Sequence, residues 1–295
     1  MSDIIDGKLL AQDIRNNLKK EIKNLFNKLK KKPGLAVIQI GEIPASTVYV
    51  KAKTKQAIEV GIEVFDHKLN NLDSEEDLIN LILKLNKDEN VNGILVQLPL
   101  PKNFDENKVL EAIDPKKDVD GFHPYNVGIL STSQISDKDL LIPCTPQGCL
   151  LMLKNLGLNI VGKKAVIIGR SNIVGKPMAS LLLRESCTVT IAHSKTELLP
   201  KICKEADILI AAVGKPEFVK GDWVKENSIV IDVGINRIEK KEGDSFKTKI
   251  VGDVCFEEAK KVASFITPVP GGVGPMTIAC LLKNTTTAFK SYHGQ

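Results

Sequence analysis

The stretch "AVIIGRSNIVGKPMA", Ala165 to Ala179, decides the fold. An apolar run leads into Gly169, and a second glycine, Gly175, opens a segment that reads as a helix. Strand, glycine turn and helix start in that order make a phosphate cradle, because backbone N–H groups and the helix dipole face an anion there. An ATP-binding loop needs G-x-x-x-x-G-K-[ST]. Here five residues separate Gly169 from Gly175, and Pro177 follows Lys176, so the hydroxyl that would hold Mg²⁺ is missing. The dinucleotide fingerprint G-x-G-x-x-G is also incomplete, with Ser171 at its middle glycine. The order of elements nevertheless fits a dinucleotide.

The next strand, "TVTIA", Thr188 to Ala192, ends in His193-Ser194-Lys195. An enzyme that uses NAD tends to place a carboxylate there, bonded to the ribose 2′-hydroxyl. None is present to repel a 2′-phosphate, and Arg170 is a cation at the loop. These residues point to NADP over NAD. The competing reading is that His193 and Ser194 cap the following turn.

Working outward, the alternation of strands and helices extends over the chain. Leu10, Ile14, Leu18, Ile22, Leu25 and Leu29 give a long amphipathic helix over 7–32, ended by Pro33-Gly34. Strands are expected at 35–41, 62–68 and 93–101, with helices from Pro44 to about Val60 and over 74–88. Residues 114–147 are rich in Pro, Gly, Asp and Ser and read as loops and a crossing between domains. Thr145 is expected to cap a helix ending near Gly157. Strands then follow at 164–169, 188–192, 207–213 and 228–233, with helices at 175–185 and 197–205. The loop "PVPGGVGPMT" (268–277) precedes a last helix to about Tyr292. Such alternation means βαβ units, parallel sheets and an α/β fold, with ligands at the carboxyl ends of the strands. A length of 295 residues suits two domains.

Composition narrows the function classes. The net charge of +5 is small and spread out. The one basic run, Lys28 to Lys32, sits at a helix end and suits the dipole there. With 4% aromatic residues, nothing marks a nucleic-acid surface. The cysteines Cys144, Cys149, Cys187, Cys203, Cys255 and Cys280 form no C-x-x-C pair, which argues against zinc. No signal pattern and no membrane-length apolar run are seen, so a cytoplasmic chain with free thiols and no membrane partner is expected.

A second constellation carries the chemistry. In "PASTVYVKAK" (44–53), Tyr49 and Lys53 stand four apart and share a helix face. By spacing alone this is as well a surface pair. "VQLPLP" (96–101) puts the lone polar Gln97 at the end of an apolar strand, facing a cleft or buried with its bonds satisfied. "KDVDGFHP" (117–124) puts Asp118 and Asp120 before Gly121. A desolvated lysine can act as a base, a nearby amide can orient it, and Asp120 could accept N–H bonds from a nitrogen heterocycle.

Y-x-x-x-K at 49–53, VQLPLP, KDVDGFHP, IPCTP at 142–146, GRSNIVGKP at 169–177 and PGGVGPMT at 270–277 occur in this order. Together they closely resemble the bifunctional methylenetetrahydrofolate dehydrogenase/cyclohydrolase family over nearly the whole chain. The resemblance implies two α/β domains flanking a cleft. The first is a catalytic folate domain over 1–140, completed by a C-terminal helix over 276–295. The second is a Rossmann-type NADP-binding domain over 141–275. It implies NADP-dependent oxidation of 5,10-methylenetetrahydrofolate, then hydrolysis of the methenyl product to 10-formyltetrahydrofolate. By motif position Lys53 is the catalytic lysine, Gln97 tunes it and Asp120 holds the pterin. Ser46, Tyr49, Pro270, Gly271 and Gly274 are expected around the folate, and Gly169, Arg170, Ser171, Ser194 and Ile235 around the cofactor. Cys144 falls near the site without a catalytic role. A homodimer through the cofactor domain is implied as well. Glu42-Ile43 departs from the acidic pair that the family often carries there. The rival readings are a shikimate/quinate-type NADP dehydrogenase and a non-enzymatic dinucleotide-binding module. The PGGVGPMT loop with KDVDGF speaks against the first, and Y-x-x-x-K with VQLPLP against the second.

Overall fold

The computed structural model describes residues 2–41, 44–70, 74–132, 140–242 and 245–295, and side chains except those of 42–48 and 240–247. In chain order the elements are β1 (Asp3–Ile4), α1 (Gly7–Leu29), β2 (Gly34–Ile40), α2 (Pro44–Val60), β3 (Glu63–Leu69), α3 (Glu75–Lys87) and β4 (Gly93–Val96). Then come α4 (Glu106–Glu111), α5 (Pro124–Thr132), α6 (Cys144–Asn155), β5 (Lys164–Ile168), α7 (Gly175–Arg184), β6 (Thr188–Ala192), α8 (Leu199–Cys203) and β7 (Ile208–Ala211). The last are β8 (Ile229–Asp232), β9 (Asn236–Glu242), β10 (Ser245–Val251), α9 (Phe256–Ala259), β11 (Phe265–Ile266) and α10 (Val273–Tyr292). The chain forms two compact α/β units: Gln12–Cys144 with Ile278–Gln295, and Met1–Ala11 with Thr145–Thr277.

The unit built on residues 12–144 holds a parallel three-stranded sheet in the order β3-β2-β4. The central strand β2, "GLAVIQI", is buried throughout. A parallel strand covered on both faces reads as a near-continuous apolar run, as this one does but for the buried Gln39. Leu78, Ile82 and Leu85 of α3 pack with Ala36, Ile38 and Ile94 of the sheet. β2 lies between the strands that follow it, so the topology reverses at its carboxyl end, where α2 begins and Gln97 emerges from β4.

The other unit holds a six-stranded sheet in the order β1-β11-β8-β7-β5-β6, parallel throughout. Its core packs Val166, Ile168, Leu209, Val230 and Ile266. β5 lies between β6 and β7, which places the reversal of strand order at the carboxyl end of β5, at Gly169. β9 and β10 form a separate antiparallel ladder.

Several boundaries differ from the sequence reading. Residues 2–11 belong to the second unit because β1 pairs with β11 and the Lys8 N–H donates to the Gly271 carbonyl at 3.0 Å. β4 stops at Val96 rather than running to residue 101. α6 begins at Cys144, so Thr145 lies inside it instead of capping it, and its hydroxyl is 3.0 Å from that of Thr277. The segment 114–147, read as loop, contains α5. The Asp118 carboxylate organises the approach to this helix by accepting the N–H groups of Gly121, Phe122 and His123, and Pro124 suits the first turn. α10 starts at Val273, three residues before the expected Met276.

Candidate active site

In the unit of residues 12–144, α2 presents Tyr49 and Lys53 one turn apart, and the Lys53 amino group lies over the Tyr49 ring, 4.7 Å from its centroid. Lys53 is buried at 5% exposure, so it is not a surface lysine. Its Nζ donates to Gln97 Oε1 at 3.2 Å. The Gln97 Nε2 donates in turn to the Leu98 carbonyl at 2.6 Å, which fixes the amide so that its oxygen faces the lysine. Ser46, expected on the same helix, lies outside the residues whose side chains are described.

Two aspartates of KDVDGFHP have separate surroundings. Asp118 is buried, and its oxygens accept from the Gly121, Phe122 and His123 N–H groups and from Asn126 Nδ2 at 2.8–3.2 Å. Burial raises its pKa, and these donors pull against the rise. Lys117, before it, donates to the Leu85 and Asp88 carbonyls at the end of α3 and anchors the segment. Burial pushes the Asp120 carboxyl up to about 6, the charge of Lys53 draws it down, and Asp118 pushes it up. Lys53 and Gln97 thus meet at the carboxyl end of the three-stranded sheet, and Asp120 feels the charge of that lysine. Cys144 is buried nearby with its thiol donating to the Val119 carbonyl at 3.3 Å, and burial pushes that thiol well above its usual range.

Sequence reasoning missed Asn284. This buried residue of α10 donates from Nδ2 to the Val119 and Ile142 carbonyls, both at 2.8 Å, and so ties the backbone beside Asp120 to the C-terminal helix. Its neighbours Lys283 and Thr285–Thr287 are polar too, so no local signal marks it in the sequence.

In the other unit the cofactor candidates occupy one edge. Gly169 follows β5, Ser194 follows β6 and Ile235 follows β8, all at carboxyl ends of the parallel sheet. Gly169 has φ +127°. A Cβ at Gly169 would collide with the Ala212 carbonyl oxygen, and one at Gly175 with the carbonyl of Gly169. Both glycines are therefore needed for the close passage of backbone. Ser171 Oγ accepts the Val174 and Gly175 N–H groups at 3.1 and 3.4 Å, which shapes the turn into α7. Arg170 and Ser194 are exposed. His193 does cap its turn, with Nδ1 accepting the Lys195 N–H at 3.2 Å, and Ser194 stays open beside it. Pro270, Gly271 and Gly274 line a concavity of about 210 Å³ together with Ile235. This set fits a dinucleotide phosphate: a glycine turn at the strand reversal, an open arginine and no carboxylate after β6.

A dinucleotide cradle in one α/β unit and a buried lysine–amide–carboxylate cluster in the other define a dinucleotide-dependent enzyme. Comparison with known proteins sharpens this. The chain belongs to the tetrahydrofolate dehydrogenase/cyclohydrolase family. The family's catalytic-domain model matches residues 5–120 and its NAD(P)-binding-domain model residues 143–293. The Bifunctional protein FolD 2 of Roseobacter denitrificans is 55% identical over 97% of this chain and 94% of its own length. The bifunctional FolD methylenetetrahydrofolate dehydrogenase/cyclohydrolase of Campylobacter jejuni is 46% identical, with a TM-score of 0.92 over 99% of this chain and 100% of that one. The Trypanosoma brucei enzyme of the same name, solved with NADP cofactor and an inhibitor, is 39% identical, with a TM-score of 0.92 over 98% of both chains.

Proposed function

We propose that Lys53, Gln97 and Asp120 carry the chemistry of this family on the 12–144 unit, and that Gly169, Arg170, Ser171, Ser194 and Ile235 hold NADP on the other. The chain is a methylenetetrahydrofolate dehydrogenase and methenyltetrahydrofolate cyclohydrolase that uses NADP. The observation that carries the residue assignment is the buried Lys53 amino group, bonded to a fixed neutral amide and acting on Asp120.

In the first reaction the methylene carbon, between two nitrogens, loses a hydride, and bound NADP supplies the acceptor. The product is a delocalised cation. In the second, water adds to that carbon, one proton leaves, and the bond to one ring nitrogen breaks to give the N10-formyl product. Lys53 stands where it can take part in the proton movement, and Gln97 aims it. Asp120 faces the pterin nitrogens as an acceptor. Tyr49 stacks on the folate's aromatic ring and orients the reacting carbon. Ser46, Pro270, Gly271 and Gly274 border the folate. Among the described residues no carboxylate bonds Lys53 directly; its side-chain hydrogen-bond partner is the neutral Gln97 amide.

The assembly proposed is a homodimer through the NADP-binding unit. β6 is the last strand of its sheet, and Ile191 on it is 38% exposed, with exposed Leu183 and Leu198 nearby in sequence. A cytoplasmic location is proposed from the free cysteines, five of which are buried. No helix among the described residues is long and apolar enough to cross a membrane.

The test mixes protein with 5,10-methylenetetrahydrofolate and NADP, follows NADPH, and reads methenyl absorbance before and after an acid quench that recloses the formyl product. NADPH formation with methenyl appearing only after acid is expected. In Lys53→Met the hydrolysis should fall by about 10²-fold or more. Full hydrolysis by a folded Lys53→Met protein would remove the lysine from the mechanism.

A further inference from the structure

Two buried aspartates take no part in the chemistry above. Asp253 is fully buried. Its Oδ2 accepts the N–H groups of Val213 and Gly214 at 2.6 and 2.9 Å, and its Oδ1 accepts Lys215 N–H and Asn236 Nδ2 at 2.9 Å each. Its own N–H donates to Asp232 Oδ1 at 2.8 Å, and Asp232 also accepts from Gly234 and Val254. A Cβ at Gly234 would collide with the Asp253 carboxylate, and one at Gly252 with that of Asp232. The two glycines admit the two carboxylates; Asp232 locks the backbone at Asp253 and Val254, and Asp253 locks the backbone at 213–215 and the Asn236 amide.

The place of this lock gives it meaning. Val213–Lys215 follow β7, the strand beside β5, and the preceding carbonyl of Ala212 is the one against which Gly169 packs. Asn236 follows Ile235, and Gly234 precedes it. The turn after β7 and the residues around Ile235 therefore hang from one side chain. A carboxylate with four donors is spent on backbone and amide, so it adds little repulsion toward a phosphate.

We infer that Asp253 is a positioning residue for NADP: it fixes the turn 213–215 against Gly169 and sets Ile235 through Asn236. This rests on the proposed NADP-contacting residues and goes beyond them, since Asp253 lies behind the contact surface. Asn in its place keeps the shape, but an NH₂ group then faces at least one N–H donor.

The experiment compares Asp253→Asn with the parent in three readouts: KM for NADP, binding of NADPH by fluorescence, and hydrolysis of methenyltetrahydrofolate without dinucleotide. The expected result is a rise of about 10–100-fold in KM and Kd for the dinucleotide. Hydrolysis, which needs only water and folate, should stay within about twofold. Asn236→Asp, which sets a second carboxylate against Asp253 at the start of the β9 ladder, should show the same split with a smaller rise, and it serves where Asp253→Asn does not fold. Unchanged dinucleotide affinity in a folded variant overturns the inference. So does an equal fall in both activities, which is the mark of a purely structural role. A parent protein that does not reduce NADP at all defeats the functional reading instead.

Discussion

Asp120→Asn sets stability against function. Burial raises the Asp120 carboxyl from 3.8 to about 6. The folded chain therefore holds this proton more tightly than the unfolded chain does. As pH rises from 3.8 towards 6, the unfolded state releases the proton first, so stability falls across that window and the full cost stands above about pH 6. At about 1.36 kcal/mol per pH unit, the cost is about 3 kcal/mol at pH 7.5 and about 1 kcal/mol at pH 4.5. Asparagine does not ionise and removes it. Urea unfolding followed by circular dichroism at both pH values should show Asp120→Asn more stable than the parent by about these amounts. The same variant should raise KM for methenyltetrahydrofolate by about tenfold or more, as the loss of a charged acceptor does, with KM for NADP unchanged. A variant no more stable at pH 7.5, or equally stabilised at both pH values, would show that burial does not raise this carboxyl.

Gly169→Ala puts a Cβ onto the Ala212 carbonyl at a φ of +127°. It should cost about 1–3 kcal/mol in a thermal melt and weaken NADPH binding more than folate hydrolysis; full binding in titration would argue that the turn can relax. Arg170→Ala should raise KM for NADP by about tenfold and leave KM for NAD unchanged, so the ratio of the two is the measurement.

What the sequence revealed divides along a physical line. Elements whose cause is local were legible. β2 shows itself as an apolar run broken only by Gln39, α2 by Pro44 at its start, and α3 forms where a helix is expected over 74–88, with Ser74 and Asp77 closing a capping box. Elements whose cause is distant were not. β1 is two residues long and exists only because Phe265–Ile266 lies beside it. β9 carries Glu239, Lys240, Lys241 and Glu242 in place of an apolar alternation, and only its pairing with β10 marks it as a strand. The Asp232–Asp253 lock joins positions whose common feature in sequence is a neighbouring glycine, and Asn284 reaches carbonyls 165 and 142 residues away. A side chain that satisfies distant backbone leaves no periodic trace.

The same line runs through the candidate site. Spacing paired Tyr49 with Lys53, and the apolar strand singled out Gln97, because both signals are local. The stretch KDVDGF offers two aspartates two residues apart, and nothing in it says which is free to act. The fold does. Asp118 has four N–H donors, and its oxygens are committed to the turn and to Asn126. Among the described residues no donor is bonded to the Asp120 carboxylate, which is half-buried and feels the charge of Lys53. A carboxylate kept in a desolvating place without donors costs stability, and the protein could avoid that cost with asparagine. Its oxygens remain open for N–H groups that arrive with a ligand, and a pterin ring supplies them side by side. The proposed assignment of Asp120 rather than Asp118 to the substrate rests on which of the two has acceptors left to give.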